Sequence, residues 1–192
     1  MRVAGATALG HHRAMIVDTR VRLRRVERDD LPRFMAWLND PEVRRSLALL
    51  WPMGSAQEEA WYEAQLKAEP ALQAFSIDVR KDASAWTHAG GAGFHSVDWV
   101  SRAAELGLVI GDKSRWGQGY GTEATRALCR WGLRELNLHR IWLRVYEDNA
   151  PAIRSYEKVG FKLEGRLRQD RFREGRYLDT LVMGLLYDEL TE

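Results

Sequence analysis

Arg115-Trp116-Gly117-Gln118-Gly119-Tyr120-Gly121-Thr122-Glu123-Ala124 is the stretch on which the fold turns. Its three glycines alternate, and helix-forming sequence follows at once. Glycines at that spacing let a backbone approach a ligand with no Cβ in the way. The amides of the loop and of the first helical turn then converge on one spot. That spot suits an anion, phosphate above all, because a helix N-terminus carries uncompensated donors and a partial positive charge.

Working outward, residues 103–111 (AAELGLVIG) read as the strand that feeds this loop. The helix after it, about 122–135, puts Ala124, Ala127, Leu128 and Trp131 on one face. Residues 138–146 alternate, with Ile141, Leu143 and Val145 together, as a strand does. A strand–helix–strand unit over 103–146 implies a parallel crossover. Asn149 caps a further helix, Pro151 sits in its tolerant first turn and Gly160 stops it. Strands at about 161–173 and 176–186 meet at Glu174-Gly175, a tight hairpin turn.

Toward the N-terminus, residues 20–26 alternate as a strand. Asp29 or Asp30 then caps a helix carrying Leu31, Phe34, Met35, Trp37 and Leu38. A short helix from Pro41 to about Leu47, a loop around Trp51, and a helix from Ser55 to Lys67 follow, the last with Glu58 as capping-box partner. Residues 73–80 and 89–99 read as strands. The expected fold is α/β (α+β): one domain over 19–192, with a mixed, mostly antiparallel central sheet of about six to seven strands and helices on both faces. Residues 1–18 are expected to be a flexible extension, in which His11 and His12 belong to a solvated tail.

Composition narrows the function classes. A net charge of +2 does not by itself argue for nucleic acid, so no direct nucleic-acid binding is expected. Residues 139–177 hold ten Lys/Arg against six Asp/Glu, a basic stretch read first as a solvated face and otherwise as a surface for a phosphate or an acidic partner such as a ribosome. One cysteine, Cys129, rules out an intramolecular disulfide and falls in an apolar helical pattern, so a buried thiol is expected. No run approaches the ~18 apolar residues of a membrane span, and the N-terminus is a poor secretory signal, so no membrane role and a cytoplasmic location are expected.

Three glycine-rich sites compete for the loop. No Walker string G-x-x-x-x-G-K-[ST] occurs. GYGTEA fits the G/A-tolerant dinucleotide fingerprint, but residues 138–146 lack the acidic side chain that should follow. AELGLVIG, RWGQGYGTEA, LNLHRIWLRVYEDNAPAIRSYEKVGF and EGRLRQDRFREGRYLDT together resemble the GNAT superfamily of acyl-CoA-dependent N-acyltransferases. The resemblance covers roughly residues 20–187 and leans toward the branch of ribosomal-protein N-terminal (Rim-type) and polyamine acetyltransferases. Gly119 and Gly121 take the glycine positions of the family's Q/R-x-x-G-x-G/A loop, and Trp116 replaces its Gln/Arg.

The resemblance implies a splayed parallel strand pair and a set of roles. Trp116, Gly117, Gln118, Gly119, Tyr120, Gly121 and Thr122 would bind the CoA pyrophosphate through backbone amides. Val109, Ile110 and Gly111 would pair with the pantetheine arm. Tyr156, seven residues after Asn149 and so two turns along nearly the same helix face, would protonate the leaving thiolate. Asn149 would both cap its helix and touch the CoA arm or the acceptor. Glu105 would take a proton from the amine, with His95 as rival base. Trp51, Trp61 and Tyr62, beside Glu58, Glu59 and Glu63, would shape a pocket for a cationic amine. The expected reaction is direct acetyl transfer from acetyl-CoA to a primary amine, either a small molecule or a protein N-terminus such as a ribosomal one, with no metal. A non-catalytic acetyl-CoA-binding or ribosome-docking module and a dinucleotide-binding oxidoreductase are the alternatives. The final strand or the N-terminal extension could pair subunits as a homodimer.

Overall fold

The computed structural model describes residues 15–191. Its strands are β1 (Met15–Val17), β2 (Val21–Arg25), β3 (Phe75–Val79), β4 (Thr87–Asp98), β5 (Ala103–Ile110), β6 (Arg140–Tyr146), β7 (Lys162–Arg173) and β8 (Arg176–Leu186). They form one sheet in the order β1-β2-β3-β4-β5-β6-β8-β7. The helices are α1 (Leu31–Asn39), α2 (Pro41–Arg44), α3 (Ser55–Lys67), α4 (Tyr120–Arg134) and α5 (Ala150–Val159). The sheet has eight strands, one more than the upper expectation. The addition is β1, which turns back at Asp18 and pairs antiparallel with β2. Three residues are too few for a period-2 pattern to register. The His11-His12 pair lies outside the described residues.

One junction in the sheet differs from all others. β5 and β6 run parallel, and only Ala103, Ala104 and Glu105 pair, with Arg140, Ile141 and Trp142. Beyond Glu105 the two strands diverge, while β5 stays paired to β4 as far as Ile110. This leaves one edge of β5 without a strand partner, in the middle of a sheet.

α4 covers one face. Ala124, Ala127, Leu128 and Leu133 are buried against Val21, Leu23, Ile77, Leu106 and Ile141. Burial of each large side chain there is worth about 1.5–3 kcal/mol. α1 and α3 lie across the other face, where Phe34 meets Trp37, Trp61 and His88 edge-on. Beneath them runs a buried polar chain. Arg24 binds Asp30 through both terminal nitrogens at 2.7 Å and Asp78 through Nε at 3.0 Å.

That chain explains the first of two departures from the expected helix starts. Asp30 stands at the head of α1 but makes no side-chain cap. Its carboxylate instead accepts from Arg24, from Ser76 Oγ and from the Glu27 amide. At α3 the side chain that reaches back to the Gly54 amide is Gln57, at 2.9 Å, and not Glu58, which is 3% exposed. The Glu174-Gly175 turn has the expected form: φ is +51° and +77°, both positive as a two-residue hairpin needs.

Candidate active site

The glycine loop lies at the open end of the β5/β6 junction. Gly119 sits at φ +87°, a left-handed conformation that glycine adopts freely, and α4 starts at the next residue. Among the described residues, the amides of 117–122 meet no backbone or side-chain acceptor, and the first helical bond runs from the Glu123 amide to the Gly119 carbonyl at 3.1 Å. Consecutive free donors at a helix N-terminus are an anion cradle.

The loop side chains act as braces around those free amides. Trp116 donates its indole N–H to the Ile110 carbonyl at 2.7 Å, and Gln118 donates to the Ser114 carbonyl at 2.6 Å. Tyr120 is 1% exposed, in the core. Arg20 holds the Gln118 carbonyl at 3.1 Å and pairs with Glu123. The Thr122 and Ser155 hydroxyls meet at 2.8 Å, tying the start of α4 to α5. The Gly111 amide is taken by the Ala89 carbonyl at 2.8 Å. With Ile110 held by Trp116, the free edge of β5 is narrower than the stretch from Val109 to Gly111 that the sequence suggested.

α5 starts as expected: Asn149 Oδ1 accepts from the Ala152 amide at 3.3 Å. Tyr156 is buried beside Phe161, with ring centroids 5.8 Å apart. Its hydroxyl has no hydrogen-bond partner among the described residues. Burial, with a smaller contribution from the nearby Cys129 thiol, pushes the phenol up to about 12, so it keeps its proton at neutral pH. Cys129 is fully buried and its thiol is driven far upward by burial, which removes it as a nucleophile.

The acceptor side differs from the sequence reading. Glu105 is engaged by Arg144 Nε at 2.9 Å. His95 is exposed, at the bulge of β4, with its ring over Gly107. The three aromatics do not converge. Trp51 is 79% exposed, Trp61 packs on Phe34, and Tyr62 lies under the Arg28 guanidinium at 5.0 Å. Arg28 also neutralises Glu59 and Glu63. Glu58 remains buried without a hydrogen-bond or ion-pair partner among the described residues, and burial raises its pKa. The sequence reading missed the hairpin tip. Arg173 donates to the carbonyls of Arg44 at 2.6 Å and Leu47 at 3.0 Å, and Arg171 donates to Leu47 at 3.2 Å. Its one signal was the alternation of Arg171 and Arg173 about an exposed Phe172.

A parallel pair that opens after three residues, with a cradle of free amides at its mouth, is the architecture of an acyl-CoA-dependent acyltransferase. The acetyltransferase (GNAT) domain matches residues 20–162, and the chain belongs to that family. It is 30% identical over 172 residues, 88% of this chain and 94% of the relative, to the uncharacterized N-acetyltransferase p20 of Bacillus licheniformis. It is 28% identical over 174 residues, 88% of this chain and 95% of the relative, to a spermidine N(1)-acetyltransferase of Vibrio cholerae. The crystal structure of the V. cholerae spermidine N-acetyltransferase in complex with CoA and spermine matches with a TM-score of 0.79 at 25% identity, over 90% of this chain and 98% of that one. The chain is an acyl-CoA-dependent N-acetyltransferase with acetyl-CoA as co-substrate, which sets the dinucleotide reading aside. No helix of the described residues is long and apolar enough to cross a membrane.

Proposed function

We propose that the chain transfers acetyl from acetyl-CoA directly to a primary amine, a small molecule or a protein N-terminus, with both substrates bound together. The observation that carries this is the run of unpaired amides at 117–122, set at the mouth of the β5/β6 gap. The pyrophosphate fits that cradle, and the extended arm fits the unpaired edge of β5. The acceptor nitrogen attacks the thioester carbonyl, and an amide on that edge steadies the charge that develops on oxygen. Tyr156, with its proton retained, delivers it to the departing sulfur. Glu105, held by Arg144, takes the amine proton directly or through water, with His95 as the alternative. Proximity supplies much of the rate.

The test is thiol release from acetyl-CoA with a panel of amines that includes spermidine, amino acids and ribosomal-protein N-terminal peptides. Acceptor-dependent thiol release is the expected result. Acetyl-CoA binding without turnover on any amine would instead mark a binding module.

A further inference from the structure

α4 follows β5 and α5 follows β6, so the two helices hang on the two strands that part after Glu105. A contact between the helices therefore spans the gap. Among the described residues one hydrogen bond joins α4 to α5, between the Thr122 and Ser155 hydroxyls at 2.8 Å. Ser155 Oγ also stands 3.9 Å from where a Cβ on Gly121 would lie, so it borders the glycine loop. Both residues are partly exposed, within reach of a molecule that enters the gap.

The pair has a donor to spare. Each hydroxyl carries a proton, and one proton suffices to join the two oxygens. Neither oxygen bonds any other group among the described residues. By contrast the Thr125 hydroxyl, one turn along α4, is spent on the Gly121 carbonyl at 2.8 Å. The direction of the Thr122–Ser155 bond is open, and a nearby acceptor decides it. Thr122 lies in the first turn of α4, and a helical Cβ tilts toward the helix N-terminus. Its hydroxyl leans to the end where the amides of 117–122 are free. An anion seated on those amides would accept the Thr122 proton, because hydrogen bonds to charged oxygens are the stronger ones. Thr122 would then offer Ser155 only lone pairs, and Ser155 would become the donor. Hydrogen bonds linked in this way polarise and strengthen one another.

Tyr156 is the next residue of α5. Its hydroxyl has no hydrogen-bond partner among the described residues, so the placement of α5 decides where its proton lies. Whatever seats α5 against α4 seats Tyr156.

We propose that Thr122 and Ser155 form a hydroxyl clasp across the β5/β6 gap, tightened by the pyrophosphate of the donor. Ser155 is thereby a positioning residue that seats α5 and aligns Tyr156 for proton delivery. The alignment rests on the acetyl-transfer reading above, whereas the clasp needs only CoA to bind.

Amide hydrogen exchange of the full chain, with and without CoA, tests the clasp. In wild type, CoA should slow exchange both in the first turn of α4 and in α5. In Ser155→Ala the slowing in α4 should remain and that in α5 should be lost. Ser155→Thr, which keeps a hydroxyl, should retain both. Equal slowing of α5 by CoA in wild type and Ser155→Ala overturns the clasp. Thiol release tests the alignment. Ser155→Ala should lower kcat about fivefold, the effect of one ordinary hydrogen bond, with KM for acetyl-CoA nearly unchanged, and Ser155→Thr should restore kcat. Thr122→Val opens the same clasp, so combining it with Ser155→Ala should lower kcat no further than the larger single loss. An unchanged kcat in Ser155→Ala, or losses that multiply in the double variant, overturns the alignment. Absence of thiol release with every amine overturns acetyl transfer and the alignment with it, while exchange still decides the clasp.

Discussion

Replacing Tyr156 by Phe separates chemistry from packing. The ring stays, so its contact with Phe161 and its place in the core are kept. Only the hydroxyl goes, and it has no hydrogen-bond partner among the described residues. The ring is buried but the hydroxyl is not sealed from solvent, so its removal should change stability by no more than about 1 kcal/mol in either direction. For a chain of this length that is a Tm change within about 4 °C. Turnover should fall ~10²–10⁴-fold if the phenol supplies the proton to sulfur, equivalent to about 2.7–5.5 kcal/mol in the barrier. The assay is thiol release under saturating acetyl-CoA and acceptor, beside a direct acetyl-CoA binding titration that should not move. Alkaline pH adds an independent check. The folded pKa of about 12 lies above the unfolded value of about 10. Tyr156 therefore contributes stability that is present below pH ~10 and lost as pH rises toward ~12. The Phe variant should lose less stability than wild type across that window. Turnover within threefold of wild type would refute the acid role, and a Tm drop of several degrees would refute the absence of a partner for the hydroxyl.

Three other substitutions test the remaining parts. Gly119→Ala forces a Cβ into a φ of +87°, a cost of roughly 1–2 kcal/mol, and should raise the acetyl-CoA Kd; an unmoved Kd in a titration would count against the cradle. Glu105→Gln removes the partner of a half-exposed Arg144, so stability should change by less than about 1 kcal/mol. Its activity loss should be largest at low pH, where the amine is protonated, and an unchanged pH–rate profile would return the base role to His95 or water. Leu128→Ala empties a fully buried position beneath α4 and should cost about 2–5 kcal/mol in urea unfolding; a smaller loss would show that the core collapses around the gap.

What the sequence made legible follows the range of the interactions involved. The glycine loop, the Asn149 cap, the Gly160 stop and the Glu174-Gly175 turn are each decided within a few residues, and each stands where its local chemistry put it. Helix starts misled where a distant partner competed. Asp30 is a good cap in isolation, but Arg24 and Ser76 offer its carboxylate stronger bonds in a buried site. Glu58 has the spacing of a capping box, yet Gln57 reaches the Gly54 amide while Glu58 turns into the interior. The hairpin tip was least legible because its contacts join segments more than a hundred residues apart, as when Arg173 reaches Arg44 and Leu47.

That long-range assembly alters the charge argument for the acceptor. Read as sequence, Glu58, Glu59 and Glu63 beside aromatic residues suit a cation. In the fold, Arg28 consumes two of those carboxylates and the third is buried with its pKa raised. Over Tyr146 stands a guanidinium, that of Arg171, at 5.3 Å from the ring centroid. The unpaired amides at 117–122 belong to the backbone and so specify no acceptor. A loop that binds through backbone amides can thus serve the donor while leaving the choice of amine to other parts of the molecule.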